Sequence, residues 1–169
     1  DYIEINMSVA QCFETDLVSK MRTWMEKYTV EPMQIRLEIT ENAATFNPQI
    51  VEKNMNILHK MGVSFALDDY GTGFSNIKKM ISLPFDVVKV NKTFVDEIEN
   101  PNTETLVKDT IHMLKSLGKE VLIEGIETKD RAELFTNYDY DKKLGCDYLQ
   151  GFYFSKPLPK TEFVKFLTM

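Results

Sequence analysis

Ligands for soft metals are scarce in this chain, whose 169 residues include two cysteines and two histidines. Cys12 and Cys146 lie far apart, without CxxC spacing, so neither a zinc site nor thioredoxin-like chemistry is indicated. Buried thiols in a reducing cytoplasm are expected instead. His59 and His112 both fall in helical patterns and read as surface or packing residues. Positive charge is also short, with 20 Lys and Arg against 26 Asp and Glu and a net charge of −6. That balance excludes the phosphate-neutralising surface on which duplex binding depends. A phosphate-bearing ligand would need metal ions to offset the acidic residues. No apolar run approaches the roughly 20 residues of a membrane span, and no basic-then-apolar leader opens the residues given. The expectation is a cytoplasmic domain without membrane contact of its own, or the cytoplasmic part of an anchored parent.

What the chain does have is apolar mass, 43% of its residues, enough for one domain spanning 1–169 with a proper core. Six β-branched runs are each followed by a segment of helical period: 2–9, 35–40, 64–69, 87–91, 120–125 and 146–151. Helical stripes follow at Leu17, Val18, Met21, Trp24, Met25 and Tyr28, then at Ile50, Val51, Met55, Leu58 and Met61. The second is introduced by Asn47 as cap and Pro48, and stopped at Gly62. A third, Leu106, Val107, Thr110, Ile111, Leu114 and Leu117, ends at Gly118, and shorter helices are expected over 128–135 and 160–167. Strict alternation implies a parallel sheet covered by helices. Within the strands, Glu4 and Asn6, Arg36 and Glu38, Lys89 and Asn91, and Glu124 share a polar second face. Such a face suits the mouth of a barrel, so a (β/α) TIM-barrel type with about six of its eight units is expected.

Chemistry concentrates at 65–77, FALDDYGTGFSNI, where Asp68 and Asp69 end an apolar strand and open onto a double-glycine loop. An isolated Asp-Asp-Gly often only starts a turn. Here the other strands end likewise in polar groups, giving Asn6, Glu38, Asp68, Asp69, Lys89, Glu124 and Gln150, an oxygen-rich set without histidine. Such donors select Mg²⁺ or Mn²⁺, and adjacent aspartates could bridge two ions.

The segments INMSV, IRLEITEN, ALDDYGTGFSN, VVKVNKTFV, LIEGIET and GCDYLQGFYFSKP resemble, in order and spacing, the bacterial EAL domain, whose members hydrolyse cyclic di-GMP. The resemblance implies metal-binding positions at Asn6, Glu38, Asp68, Asp69 and Glu124. It also implies that Lys89 positions or helps activate the attacking water, with Glu124 a further candidate base. Glu41 would steady the loop from Tyr70 to Asn76, which in the family couples dimer contacts to the site. Gln150 and Glu127 fall on further site positions, Gln150 near the ligand's guanine or phosphate. Implied partners are cyclic di-GMP, a second copy in a homodimer, and a sensory or GGDEF domain in a parent chain.

Two departures accompany the match. The Glu-Ala-Leu signature is absent, so the chain is expected to be an N-terminally truncated part of the domain. Asn91 stands where the family has an aspartate, removing a charge that could orient Lys89 or a second metal's water. Two expectations follow: a phosphodiesterase module that opens cyclic di-GMP to linear pGpG with two metal ions, or a non-catalytic sensor or interaction module. Catalysis by these residues alone is expected to be slight.

Overall fold

A computed structural model describes residues 2–40, 48–72, 77–136 and 145–167 of the chain. Its elements run β1 (Ile3–Asn6), α1 (Val9–Cys12), α2 (Leu17–Tyr28), β2 (Ile35–Thr40), α3 (Pro48–Met61) and β3 (Ser64–Tyr70). They continue as α4 (Ile77–Ser82), β4 (Val87–Val90), α5 (Lys92–Asp96), α6 (Pro101–Ser116), β5 (Glu120–Ile123), α7 (Lys129–Thr136), β6 (Tyr148–Leu149) and α8 (Lys160–Phe166). The six strands pair in parallel in chain order, β1 through β6. Right-handed crossovers between strands taken in sequence place every connection on the same face. The sheet therefore winds in one direction and curls into an open, incomplete barrel, as the βα alternation leads one to expect.

Alternation along the strands divides the two faces. Phe65 and Leu67 of β3, Val88 and Val90 of β4, and Val121 and Ile123 of β5 point outward, where Val51, Met55 and Leu58 of α3 and Val107, Ile111 and Leu114 of α6 join them in the main core. Inside the curl, Ala66, Val87 and Leu122 form a small apolar layer against which Tyr148 packs. Burying apolar side chains of this size contributes on the order of 1.5–3 kcal/mol each. The outer layer, not the inner one, therefore supplies most of the stabilisation.

Towards the N-terminal ends of the strands, Arg36 is buried to 5% exposure in a polar cluster. Its guanidinium donates to Tyr2 Oη at 2.7 Å, Glu4 Oε1 at 3.2 Å and Ser64 Oγ at 3.3 Å, and lies 3.7 Å from Glu120 Oε2. It also sits over the rings of Tyr2 and Tyr148, 3.9 and 5.7 Å from their centroids. One side chain thus ties β1, β3, β5 and β6 across the curl.

Several expected boundaries move. β1 is shorter than 2–9, because Ser8 caps α1: its side chain accepts from Gln11 N while the Gln11 side chain bonds back to Ser8 N. β6 keeps two residues of an expected six. Of the α2 stripe, Leu17, Met21 and Met25 are buried, whereas Trp24 and Tyr28 are exposed beside β1; on α6, Leu106 and Leu117 are likewise exposed. Asn47 lies outside the described residues.

Candidate functional site

β3 carries the centre of the site. In a regular strand, Asp68 and Asp69 would point to opposite faces. Here the register with β4 shifts between Leu67 and Tyr70, and Asp69 adopts the left-handed conformation, φ 56°. Aspartate tolerates that region better than most residues. Thr72 closes the turn, donating to the Asp69 carbonyl from its N–H at 3.3 Å and its hydroxyl at 3.0 Å. The irregularity lets both carboxylates converge: Asp68, Asp69 and Glu124 each offer an oxygen, all within 4.8 Å of one another.

Two glycines make the close packing behind these groups possible. Gly71, φ 98°, lies where a Cβ would come within 2.2 Å of the Phe94 ring. Gly125, φ 75°, follows Glu124 directly and passes so near Lys92 that a Cβ would meet its Cβ at 2.4 Å. Loops after β3 and β5 are thereby seated on α5.

Lys89 of β4 lies beneath the acidic group at 3% exposure. Its Nζ is 2.8 Å from Glu38 Oε1, 2.9 Å from Glu124 Oε1 and 3.4 Å from Asp68 Oδ1. Burial works to lower the lysine's pKa but is outweighed by hydrogen bonds to Glu38 and Glu124 and by the charges of Glu124 and Asp68, so it stays protonated. One ammonium shared among three carboxylates does not compensate each of them. Burial accordingly holds Glu38 and Glu124 above the ordinary carboxyl value despite Lys89, with Glu4 adding to the effect at Glu38 and Asp68 and Asp69 at Glu124.

Asn91 caps α5, its Oδ1 accepting from Thr93 N at 2.9 Å, while its Nδ2 donates to Asp69 Oδ1 at 2.7 Å. Asn6 ends β1 as the register partner of Glu38 and is exposed. Gln150 is fixed through its backbone: its N–H donates to Ile123 O and its carbonyl accepts from Ile126 N, leaving the side chain exposed. Glu127 is exposed in the loop after β5. Glu41 and residues 73–76 of the loop after β3 lie outside the described residues. Sequence reading missed Thr72 and the two glycine approaches; the Gly-Thr-Gly run at 71–73 is the signal that could have found Thr72 and Gly71, and Gly125 is marked only by its place directly after Glu124.

His59 pairs with Asp86, Nε2 to Oδ1 3.0 Å, at the opposite ends of the strands. Burial raises the thiols of Cys12 and Cys146 to about 11, which keeps them protonated and unreactive at neutral pH.

An all-oxygen triad at the C-terminal ends of parallel strands fits a hard divalent cation and could hold one. The EAL domain profile matches residues 2–157, covering nearly all the described structure. The chain belongs to the EAL domain family. It is 31% identical over 166 residues to the signaling protein YkoW of Bacillus subtilis, covering 98% of this chain and 20% of that protein. Its fold superposes on the EAL domain of Mycobacterium smegmatis DcpA with a TM-score of 0.88 at 30% identity, covering 99% of this chain and 72% of that one. The Pseudomonas aeruginosa MucR phosphodiesterase in complex with cyclic di-GMP gives a TM-score of 0.85 at 28% identity, over 96% and 64% of the two chains. The chain spans about a fifth of the length of full curated relatives such as YkoW and MucR. Among the described residues, no helix is long and apolar enough to cross a membrane.

Proposed function

We propose that residues 1–169 form the C-terminal part of an EAL-type domain that binds cyclic di-GMP through Mg²⁺ or Mn²⁺ and hydrolyses it to linear pGpG. The observation that carries this reading is the convergence of Asp68, Asp69 and Glu124 above a buried, charged Lys89. A bound divalent cation supplies the positive charge that an anionic phosphodiester needs there and activates water for attack at phosphorus.

The remaining roles belong to the chain's own side chains. Lys89, already protonated, cannot accept a proton from water, so it acts as a fixed positive charge that keeps Glu38, Asp68 and Glu124 in place. Glu124, half-buried and raised in pKa, is better suited to take that proton, since a general base works best with its pKa nearer the working pH. Asn6 completes the cation's oxygen set from β1. Gln150, Glu127 and Glu41 contact the ligand or support its loops.

A second copy is proposed as partner. β1 pairs only with β2 and β6 only with β5 among the described residues, and Ile3 and Ile5 are exposed on the β1 edge. Unpaired edges of this kind invite strand addition. In a parent chain, a sensory or GGDEF domain would precede this unit.

A different reading, binding without cleavage, is favoured by Asn91, which bonds to Asp69 where a carboxylate would add charge. One assay separates the two. The chain is mixed with cyclic di-GMP and Mn²⁺, linear dinucleotide is followed by chromatography, and Asp68→Asn is the control. Product that vanishes in the control supports hydrolysis; binding without product supports the sensor reading; neither binding nor product overturns both.

A further inference from the structure

Resting on that proposed cation site, the geometry points to a narrower conclusion: Asn91 is a positioning residue that pins Asp69 and limits the acidic cluster to a single divalent cation. The argument begins with the orientation of its amide. The Asn91 oxygen is committed to the Thr93 N–H at the start of α5, so the nitrogen must face Asp69, and flipping the group would set a carbonyl against a carboxylate. An NH₂ group has no lone pair to offer a metal ion and presents positive partial charge to one. That flank of Asp69 is therefore closed to a cation, while the carboxylate's second oxygen keeps its acceptor capacity.

A further position beside the cluster is taken by Lys89. Its ammonium occupies the space between Glu38, Asp68 and Glu124, at 2.8, 3.4 and 2.9 Å, where another cation would have to sit to use the same oxygens. Among the described acidic side chains, the oxygens that converge are those of Asp68, Asp69 and Glu124, a set that together with Asn6 suits one ion. A carboxylate at position 91 would turn a donor flank into a ligand flank and add one negative charge.

The test is Mn²⁺ stoichiometry by equilibrium dialysis with metal analysis, supported by the electron paramagnetic resonance signal of bound Mn²⁺, and it needs no turnover. One Mn²⁺ per chain is expected for the native sequence and two for Asn91→Asp. Asn91→Ser keeps an oxygen to cap α5 but withdraws the amide from Asp69. It should still bind one ion, with affinity about 10–100-fold lower, the usual effect of removing a group that orients a ligand. Two ions in the native chain, one in Asn91→Asp, or unchanged affinity in Asn91→Ser would each overturn this inference and leave the cation site standing. No ion in the native chain would overturn the cation site itself, and the inference with it.

Discussion

Replacing Lys89 by methionine removes one charge and strands three. Glu38, Asp68 and Glu124 would lose the ammonium they share, and breaking a buried pair from one side costs on the order of 3–5 kcal/mol. Denaturant unfolding of Lys89→Met without metal should show a loss of that size; a loss under about 1 kcal/mol, the scale of exposed pairs, would mean that the cluster is well hydrated. The same residues set a pH dependence. Glu38 and Glu124 have folded pKa values raised above the ordinary 4.5, so they bind more protons folded than unfolded. Their contribution is complete below that ordinary value and is lost as pH rises through the folded values. Lys89, raised from 10.5, contributes fully throughout that window and does not shape it. Metal-free protein should therefore melt at lower temperature as pH rises from mildly acidic towards neutral, and Mn²⁺, which favours ionised carboxylates, should flatten or reverse the slope. Identical profiles with and without Mn²⁺ would count against the site. Asp69→Asn separates stability from binding: it keeps the left-handed residue type and an acceptor for Asn91 but drops a charge. Its metal-free melting temperature should hold or rise while the Mn²⁺-induced increase disappears.

Among the elements, β3 shows what a sequence can and cannot disclose. The aspartate pair, the apolar run before it and the glycine after it are all legible, and so is the placement of Glu38, Lys89 and Glu124 on one face, because alternation fixes it. How adjacent aspartates come to face the same way is not legible, since the register shift and the φ of Asp69 depend on pairing with β4 and on Thr72. Asn91 could be read as a missing charge, but not as a donor to Asp69, a contact between the end of β3 and the residue after β4, 22 positions apart. Short helices such as α1, α4 and α5 escaped because four to six residues do not display a 3.6-residue period. Trp24 and Tyr28 read as core because they continue the α2 stripe, yet both are exposed while Leu17, Met21 and Met25 are buried. At this scale the sensitive point is the loop after β5. Gly125→Ala would force a left-handed alanine, about 1–2 kcal/mol by itself, and push the loop off Lys92. It should weaken Mn²⁺ binding through displaced Glu124 more than it lowers metal-free stability; native affinity in the variant would show that Glu124 is anchored from β5 alone.

For the molecule as a whole, Arg36 is the cross-link within the curl, reaching from β2 to groups on β1, β3, β5 and β6. Arg36→Met should cost on the order of 3–5 kcal/mol by leaving Glu4 behind a lost partner, and should broaden the melting transition as the outer strands loosen. The exposed Ile3 and Ile5 on the β1 edge predict self-association at micromolar concentration, reduced by Ile5→Lys; a monomeric mass for the native chain in sedimentation equilibrium would remove the proposed homodimer. The interior carries a last consequence, one of timing. Along the inside of the curl, the ion pairs among the described residues set Glu4, Glu38, Asp68, Glu120 and Glu124, with Asp69 beside them, against two cations, Arg36 and Lys89. A phosphodiester approaching this concavity before any cation has arrived meets a potential of its own sign, and such fields change association rates by factors of about 10–10³. Under the proposed function, encounter would thereby be ordered: the metal ion would enter first, and its arrival would turn a surface that repels nucleotides into one that collects them.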